Sequence, residues 1–262
     1  MAEHVNDTPR SYSKPFLLAV CRPPGLIAED EVAVIKEWGN MSDTELHQVS
    51  LLNPSEPNPA TELELTKYSG VIITGSPFGY AHPQETKSAQ HLLVEERVSA
   101  LARRVVAEVF PTLGICFGLQ TLARATGGML VGGFAEDLQA PEIRLTDAGK
   151  ADPLTGKLPA IFRSYTGHSD AVGQLPATAT LLASGSFCHV QMVRWGKNVY
   201  GTQFHPEITT AGMHIRINSY GDTYYPAAQK SQVIARCNAA DVKGANQVIT
   251  EFANRFRCQL PA

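Results

Sequence analysis

Leu113-Gly114-Ile115-Cys116-Phe117-Gly118-Leu119-Gln120 is the stretch on which the fold turns. A short apolar strand pattern ends at Cys116, and a helical pattern over Leu119–Ala125 follows at once. A strand running straight into a helix is the repeating unit of an α/β sheet. Working outward, Phe16–Cys21 (FLLAVC) and Val71–Thr74 (VIIT) are continuous apolar runs, as expected of strands buried on both faces. Leu46–Leu52 is a further strand candidate, closed by the Pro-, Asn- and Ser-rich loop Asn53–Pro59. Glu29–Trp38 carries a rough apolar helical face. Ser88–Val109 repeats Leu92, Leu93, Val98, Leu101, Val105 and Val109 at helical spacing. The order β-α-β-(short α)-β-α-β-α predicts an α/β fold of three layers, a mostly parallel central sheet with helices on both faces.

The second half changes character. Met129–Phe134, Glu142–Leu145, Ile161–Tyr165, Thr180–Ala183, Val190–Arg194 and Val199–Gln203 read as short strands between turns, and Val242–Phe256 as a closing helix. No linker or repeat interrupts the chain. The expectation is one domain over residues 15–262, behind a disordered lead-in over 1–14.

Composition excludes several classes. With 44% hydrophobic and 18% charged residues among 262, the chain is globular rather than disordered. A formal net charge of -3 offers no basic surface for nucleic acid or an anionic membrane. No apolar run approaches the ~20 residues of a membrane span, and the polar Met1–Lys14 lacks the apolar core of a secretory signal. Five cysteines, Cys21, Cys116, Cys188, Cys237 and Cys258, form no C-x-x-C spacing. An odd count without that spacing predicts a reducing, cytoplasmic setting rather than disulfides or structural zinc. There is no P-loop, no G-x-G-x-x-G after a strand and no H-E-x-x-H, so neither a metal nor another cofactor is expected.

The G-x-C-x-G spacing of Gly114, Cys116 and Gly118 carries chemistry. It is the cysteine form of a nucleophile elbow, in which a sharp strand-to-helix turn needs small neighbours on either side. The helix N-terminus beyond the turn sets N–H groups and a positive dipole end beside the sulfur, which favours the thiolate, the nucleophilic form. The Phe117 N–H would face an oxyanion. A free cysteine is more often a small buried hydrophobe; the paired glycines argue against that here.

A cysteine nucleophile needs a base held by a third group. Among eight histidines, His205 stands out in Gln203-Phe204-His205-Pro206-Glu207, directly after an apolar strand. Pro206 pushes His205 towards extended backbone, and Glu207 is placed to accept from the distal ring nitrogen.

Together these segments resemble the signatures of class I glutamine amidotransferases, more narrowly the amidotransferase domain of GMP synthase and its stand-alone relatives. The likeness runs from Val71 to Glu207. It implies the flavodoxin-like fold of that family, with Cys116 as nucleophile, His205 as base and Glu207 as its orienter. Thr74-Gly75-Ser76-Pro77 resembles the loop that completes the oxyanion hole, so Gly75 and Phe117 would donate its N–H groups. Gly127-Gly128 matches the pair closing the elbow helix. Gly167-His168-Ser169-Asp170 matches the segment that holds the amino-acid end of glutamine, largely through backbone. By the same resemblance Gln120, His168, Ser169 and Asp170 belong to the substrate site. Gln191 and Cys188 resemble a strand of the stand-alone members.

Two departures accompany it. The family's Ser-His-Gly-Asp is Gly-His-Ser-Asp here, and its Glu-Ile-Gly is Glu142-Ile143-Arg144, with Arg144 expected in solvent. The implied activity is release of ammonia from the glutamine side chain through a cysteine thioester, for an acceptor or a separate synthetase subunit to consume. The alternative is a γ-glutamyl peptidase. The third reading is a catalytically idle interaction module, which the intact Cys116, His205 and Glu207 oppose. About 55 residues follow Glu207, fewer than another catalytic domain needs, so a stand-alone subunit or independent hydrolase is expected. Met213–Pro226 lies outside the shared motifs and is expected to serve turn and core packing rather than docking. His82 could rim the pocket, while His189 and His214 are read as structural.

Overall fold

Strand β1 (Phe16–Val20) alternates its apolar side chains between two cores, Phe16 and Leu18 to one face and Leu17 and Ala19 to the other. That double burial is why the run is continuously apolar. β1 pairs in parallel with β2 (Leu46–Ser50) and β3 (Gly70–Ile73), and α1 (Leu26–Gly39) connects β1 to β2. Helix α2 (Ala89–Ala107) precedes β4 (Thr112–Ile115), which pairs in parallel with β3 and leads into α3 (Phe117–Ala125). In this computed structural model the described residues are 13–221 and 225–258. Of the expected lead-in, 1–12 lie outside that range. Ser13 donates to the Glu45 carboxylate and the Lys14 N–H to the Cys258 carbonyl at 2.9 Å.

After α3 come β5 (Met129–Val131), β6 (Glu136–Gln139), β7 (Glu142–Leu145), α4 (Asp147–Ala151) and β8 (Ile161–Arg163). They are followed by β9 (Thr166–His168), β10 (Ala171–Gln174), β11 (Ala179–Gly185), β12 (Met192–Trp195) and β13 (Val199–Thr202). The chain closes with α5 (Thr210–Tyr220), α6 (Lys230–Asn238) and α7 (Lys243–Phe256). Among the described residues the main sheet has nine strands in the order β2-β1-β3-β4-β13-β12-β11-β7-β8. The five strands from β2 to β13 are parallel, as expected, and the sheet continues beyond β13 through antiparallel pairs.

Helices cover both faces. α1 and α7 pack with the core containing Phe16, Ile35, Val248 and Phe252. α2 and α3 pack on the opposite face with Val94, Val98, Leu101 and Leu119. A third apolar cluster joins α5 and α6 to β6 through Met213, Ile217, Val233 and Leu138. The described part of Met213–Pro226 therefore contributes packing. Residues 222–224 are outside the described range.

The structure moves several boundaries. α1 starts three residues before the expected Glu29, because Pro23-Pro24-Gly25 ends the preceding loop without any capping side chain to announce the helix. The short helix expected between β2 and β3 is a single 3-10 turn at Leu65–Lys67. Ile161–Tyr165 shortens to β8, and Tyr165 instead makes an isolated bridge to His205.

Candidate active site

β4 ends at Ile115 and α3 begins at Phe117, so Cys116 is the whole turn between them. Its backbone has φ 49° and ψ -94°, a positive-φ conformation rare for a side chain. Such a turn persists only when its surroundings fix it. Here the Cys116 N–H donates to the Thr202 carbonyl at 2.6 Å, and the Cys116 carbonyl accepts from the Gln120 N–H at 3.0 Å. The two glycines are explained by contact distances. A β-carbon on Gly114 would lie 2.7 Å from the Gly118 carbonyl carbon, and one on Gly118 would lie 2.9 Å from the Ile73 carbonyl oxygen. As the first helical residue, Phe117 has an N–H without an intrahelical acceptor.

His205 follows β13, the parallel neighbour of β4, which brings the two strand ends together. Its N–H donates to the Tyr165 carbonyl at 2.9 Å, and Asn246 of α7 donates to the Pro206 carbonyl at 2.6 Å. These bonds fix the backbone of the loop. His205 Nδ1 lies 2.6 Å from Glu207 Oε1, with both side chains buried. The imidazole is also hydrogen-bonded to Cys116. Burial alone would lower the His205 pKa, but the charges and hydrogen bonds of Glu207 and Cys116 outweigh it and raise the value to about 10. Burial would raise Glu207, yet His205 and Arg216 hold it below the usual carboxylate range. The three residues singled out from sequence thus meet in one place.

Thr74-Gly75-Ser76 is pinned to the loop after β1. Thr74 Oγ1 accepts from the Cys21 N–H at 2.9 Å, and the Ser76 hydroxyl donates to the Cys21 carbonyl at 2.7 Å. A β-carbon on Gly75 would lie 2.9 Å from His205 Cε1 and 3.1 Å from Arg22 Nη2. Only glycine lets this loop lie against the ring.

The remaining residues named from sequence are arranged differently. The Gln120 side chain is buried and donates to the Asp170 carbonyl at 2.7 Å and to Gln203 Oε1 at 3.3 Å. His168 turns inward, its Nδ1 on the Asp170 carbonyl and its Nε2 3.0 Å from Glu136 Oε2. The Asp170 carboxylate accepts from the Ala81 N–H at 3.1 Å, and Ser169 is exposed. None of these four side chains lines the cleft at Cys116. That cleft is lined by Ser76, Leu138, Thr166, Gly167 and Ile208 with Cys116 and His205, so of the segment matched by resemblance only Gly167 meets it. The cleft holds about 30 Å³. His82 is exposed and packs on His91 rather than on this cleft, and Arg144 lies in solvent paired with Glu142.

Sequence reasoning missed two groups. Gln203 donates from Nε2 to Cys116 Sγ at 3.5 Å. It stands two and four residues before His205 and Glu207, just past the end of β13. The second group is ionic. Arg22 Nε lies 2.7 Å from Glu31 Oε2, and Arg216 Nη1 lies 2.8 Å from Asp30, with Arg22, Glu31 and Arg216 all buried. Arg22, Arg216 and Tyr220 line the same cleft. A larger cavity of about 740 Å³ between α1 and the edge strand β2 shares only Arg22 with that cleft. It holds none of the Cys116 machinery.

Glu136, His168 and Cys188 place one potential ligand atom each within 4.8 Å of one another, a grouping the sequence did not suggest. The acidic and imidazole atoms already bond each other, and Gln191 donates to Glu136 at 3.1 Å. Among the described residues no helix is long and apolar enough to cross a membrane.

The chain resembles known proteins over this region. The family description "Glutamine amidotransferase class-I" matches residues 41–219, more than half of the chain. A γ-glutamyl-L-1-hydroxyisopropylamide hydrolase of Pseudomonas is 28% identical over 163 residues, covering 60% of this chain and 52% of that protein. One subunit of the glutamine-hydrolysing GMP synthase of Methanoregula boonei is 35% identical over 100 residues, covering 38% of this chain and 53% of that protein. The chain thus spans about half the length of these curated relatives. A glutamine amidotransferase structure from Thermotoga maritima shares the fold at a TM-score of 0.71 and 20% identity, over 94% of this chain and 99% of that one. By the family match, this chain belongs to the class I glutamine amidotransferases.

Proposed function

We propose that the chain cleaves the side-chain amide of γ-glutamyl compounds, of which glutamine is the simplest, through a thioester on Cys116. The observation that carries this reading is the positive-φ Cys116 at the head of α3, facing a buried His205 held by Glu207 at 2.6 Å. Cys116 sulfur attacks the amide carbonyl carbon, forming the C–S bond. The N–H groups of Gly75 and Phe117 receive the oxyanion. His205 passes its proton to the amine nitrogen as the C–N bond breaks, leaving a γ-glutamyl thioester and a neutral imidazole. That imidazole takes a proton from water, which attacks the thioester. Glutamate leaves and the thiolate returns. Gln203 steadies the sulfur throughout by its amide N–H.

With glutamine the product is ammonia, delivered to an acceptor or a separate synthetase. Likeness to a GMP synthase subunit supports that reading. The second reading, hydrolysis of larger γ-glutamyl amides, is supported by likeness to a γ-glutamylamide hydrolase. Glutamate and amine release from glutamine, glutathione and γ-glutamyl dipeptides, with Cys116→Ala as the blank, tests both. Release lost in Cys116→Ala is the expected result; release from none of them by the intact chain contradicts the proposal.

A further inference from the structure

Glu136, His168, Cys188 and Gln191 converge beside the cleft from three parts of the chain. Glu136 stands on β6 and His168 on β9, while Cys188 and Gln191 belong to the loop between β11 and β12. All four are at most 5% exposed. A Glu136 carboxylate oxygen, a His168 ring nitrogen and Cys188 Sγ lie within 4.8 Å of one another. The Gln191 amide joins them through Nε2, 3.1 Å from Glu136 Oε2.

The hydrogen bonds leave this group incomplete. His168 Nδ1 sits 3.0 Å from the Asp170 carbonyl, which only accepts, so Nδ1 carries the hydrogen. Nε2 is then turned to Glu136 Oε2 at 3.0 Å. A ring-nitrogen lone pair facing a carboxylate oxygen needs a positive centre between them, a proton or a metal ion. Gln191 Oε1 is buried with no hydrogen-bond partner among the described residues. It belongs to the same amide whose Nε2 meets Glu136, about 2.2 Å from that nitrogen. A buried acceptor left without a donor is destabilising unless something else fills the place.

The donor set has the chemistry of one ion. A thiolate, an imidazole and a carboxylate together suit zinc, whereas calcium and magnesium take oxygen ligands. Glu136 and a Cys188 thiolate bring two negative charges, which a divalent ion neutralises away from water. The bond from His168 Nδ1 to a backbone carbonyl is the usual support behind a zinc-bound imidazole, and it aims Nε2. Four-coordinate zinc sets such ligand atoms roughly 3.3–3.6 Å apart, so the sulfur has to approach by no more than about 1.5 Å.

We propose that Glu136, His168, Cys188 and the Oε1 atom of Gln191 form a structural zinc site. On binding, Zn²⁺ displaces the Cys188 thiol proton and the proton shared by His168 and Glu136, and both pass to solvent. The ion joins β6 and β9, the paired strands that give Leu138 and Gly167 to the cleft, to the loop before β12. It is a clamp beside the active site and takes no part in the thioester chemistry.

The test measures cobalt(II) and zinc binding to the full chain carrying Cys116→Ala and Cys258→Ser, after dialysis against a chelator. Those two changes remove the elbow sulfur and the exposed sulfur as rival ligands. One equivalent of cobalt is expected to bind with the intense near-ultraviolet absorption of a cobalt–thiolate bond. One equivalent of zinc is expected to displace it and to raise the melting temperature. Adding Cys188→Ala is expected to abolish the absorption and weaken zinc binding at least about 100-fold, with the circular dichroism of the fold unchanged. Glu136→Gln keeps the shape of the side chain and is expected to weaken zinc about tenfold or more while keeping the absorption. No thiolate absorption at saturating cobalt in the background chain overturns the proposal. Absorption of equal strength after Cys188→Ala also overturns it, and places the ion on Cys21 or Cys237. Where Cys188→Ala does not fold, Glu136→Gln decides, and an unchanged zinc affinity there overturns the site.

Discussion

Gly75 lies so close to His205 that a β-carbon there would stand 2.9 Å from Cε1 of the ring. The atom that would have to give way is a side-chain atom, so the backbone could accept a methyl group while the imidazole could not. Gly75→Ala is therefore expected to tilt His205 away from Cys116 and lower kcat by about 10²-fold. The melting temperature should fall by no more than a few degrees. Rate and melting curve measured on one preparation decide it; a loss of stability as severe as the loss of rate would contradict the ring-specific account.

The His205–Glu207 pair makes a pH prediction. The folded His205 pKa is raised from 6.5 to about 10, burial being outweighed by Glu207 and Cys116. A raised histidine pKa contributes stability in full below about 6.5, and that contribution is lost as pH rises through about 10. The proton that His205 gives to the amine is lost over the same window, so glutamate release should decline towards pH 10. Glu207→Gln removes the carboxylate charge and should move that decline to lower pH, with the rate down by about 10²–10⁴-fold. A pH–rate profile whose alkaline limb is unmoved in Glu207→Gln would count against the pairing.

Much of this site is legible in the sequence. Cys116 is visible because its two glycines are demanded by backbone contacts of 2.7 and 2.9 Å, and such demands leave a mark in sequence. His205 is visible because strand, Pro206 and Glu207 are local. Arg22, Glu31 and Arg216 are not, since their pairing depends on α1 and α5 meeting from distant parts of the chain, and each alone reads as a surface charge. Gln120 and His168 were assigned to substrate by resemblance, while the structure gives them buried protein partners. α5 escaped notice because its Thr209 cap, which accepts from the Gly212 N–H, follows a loop and its apolar face is narrow. The strands β6, β9 and β10 have three or four residues each, too few to show a period.

The buried ionic cluster predicts a stability effect. Arg216→Met removes one guanidinium, taking the ion-pair partner from Asp30 and leaving Glu31 with Arg22 alone. Breaking a buried pair in this way costs about 3–5 kcal/mol. Urea unfolding should show the loss, and Arg216→Met combined with Glu31→Gln should recover part of it. A loss below about 1 kcal/mol would mean that the cluster is solvated.

The elbow itself can be tested by Gly118→Ala. Its β-carbon would meet the Ile73 carbonyl oxygen at 2.9 Å, a backbone atom that cannot swing aside. The expected cost is about 1–3 kcal/mol, with a loss of rate because α3 must shift against β3 and carry Cys116 with it. Differential scanning calorimetry beside the glutamate assay reads both effects, and a variant indistinguishable from the parent would refute the close packing.

The most direct measurement is the mass of the chain quenched with acid during turnover of a slow γ-glutamyl amide. It is done in a Cys258→Ser background because Cys258 is the exposed cysteine among those described. A γ-glutamyl adduct is predicted on the peptide that carries Cys116, and Cys116→Ala is predicted to lose both the adduct and all release of glutamate. Glutamate release that persists in Cys116→Ala, or an adduct located on any other residue, would contradict the thioester mechanism.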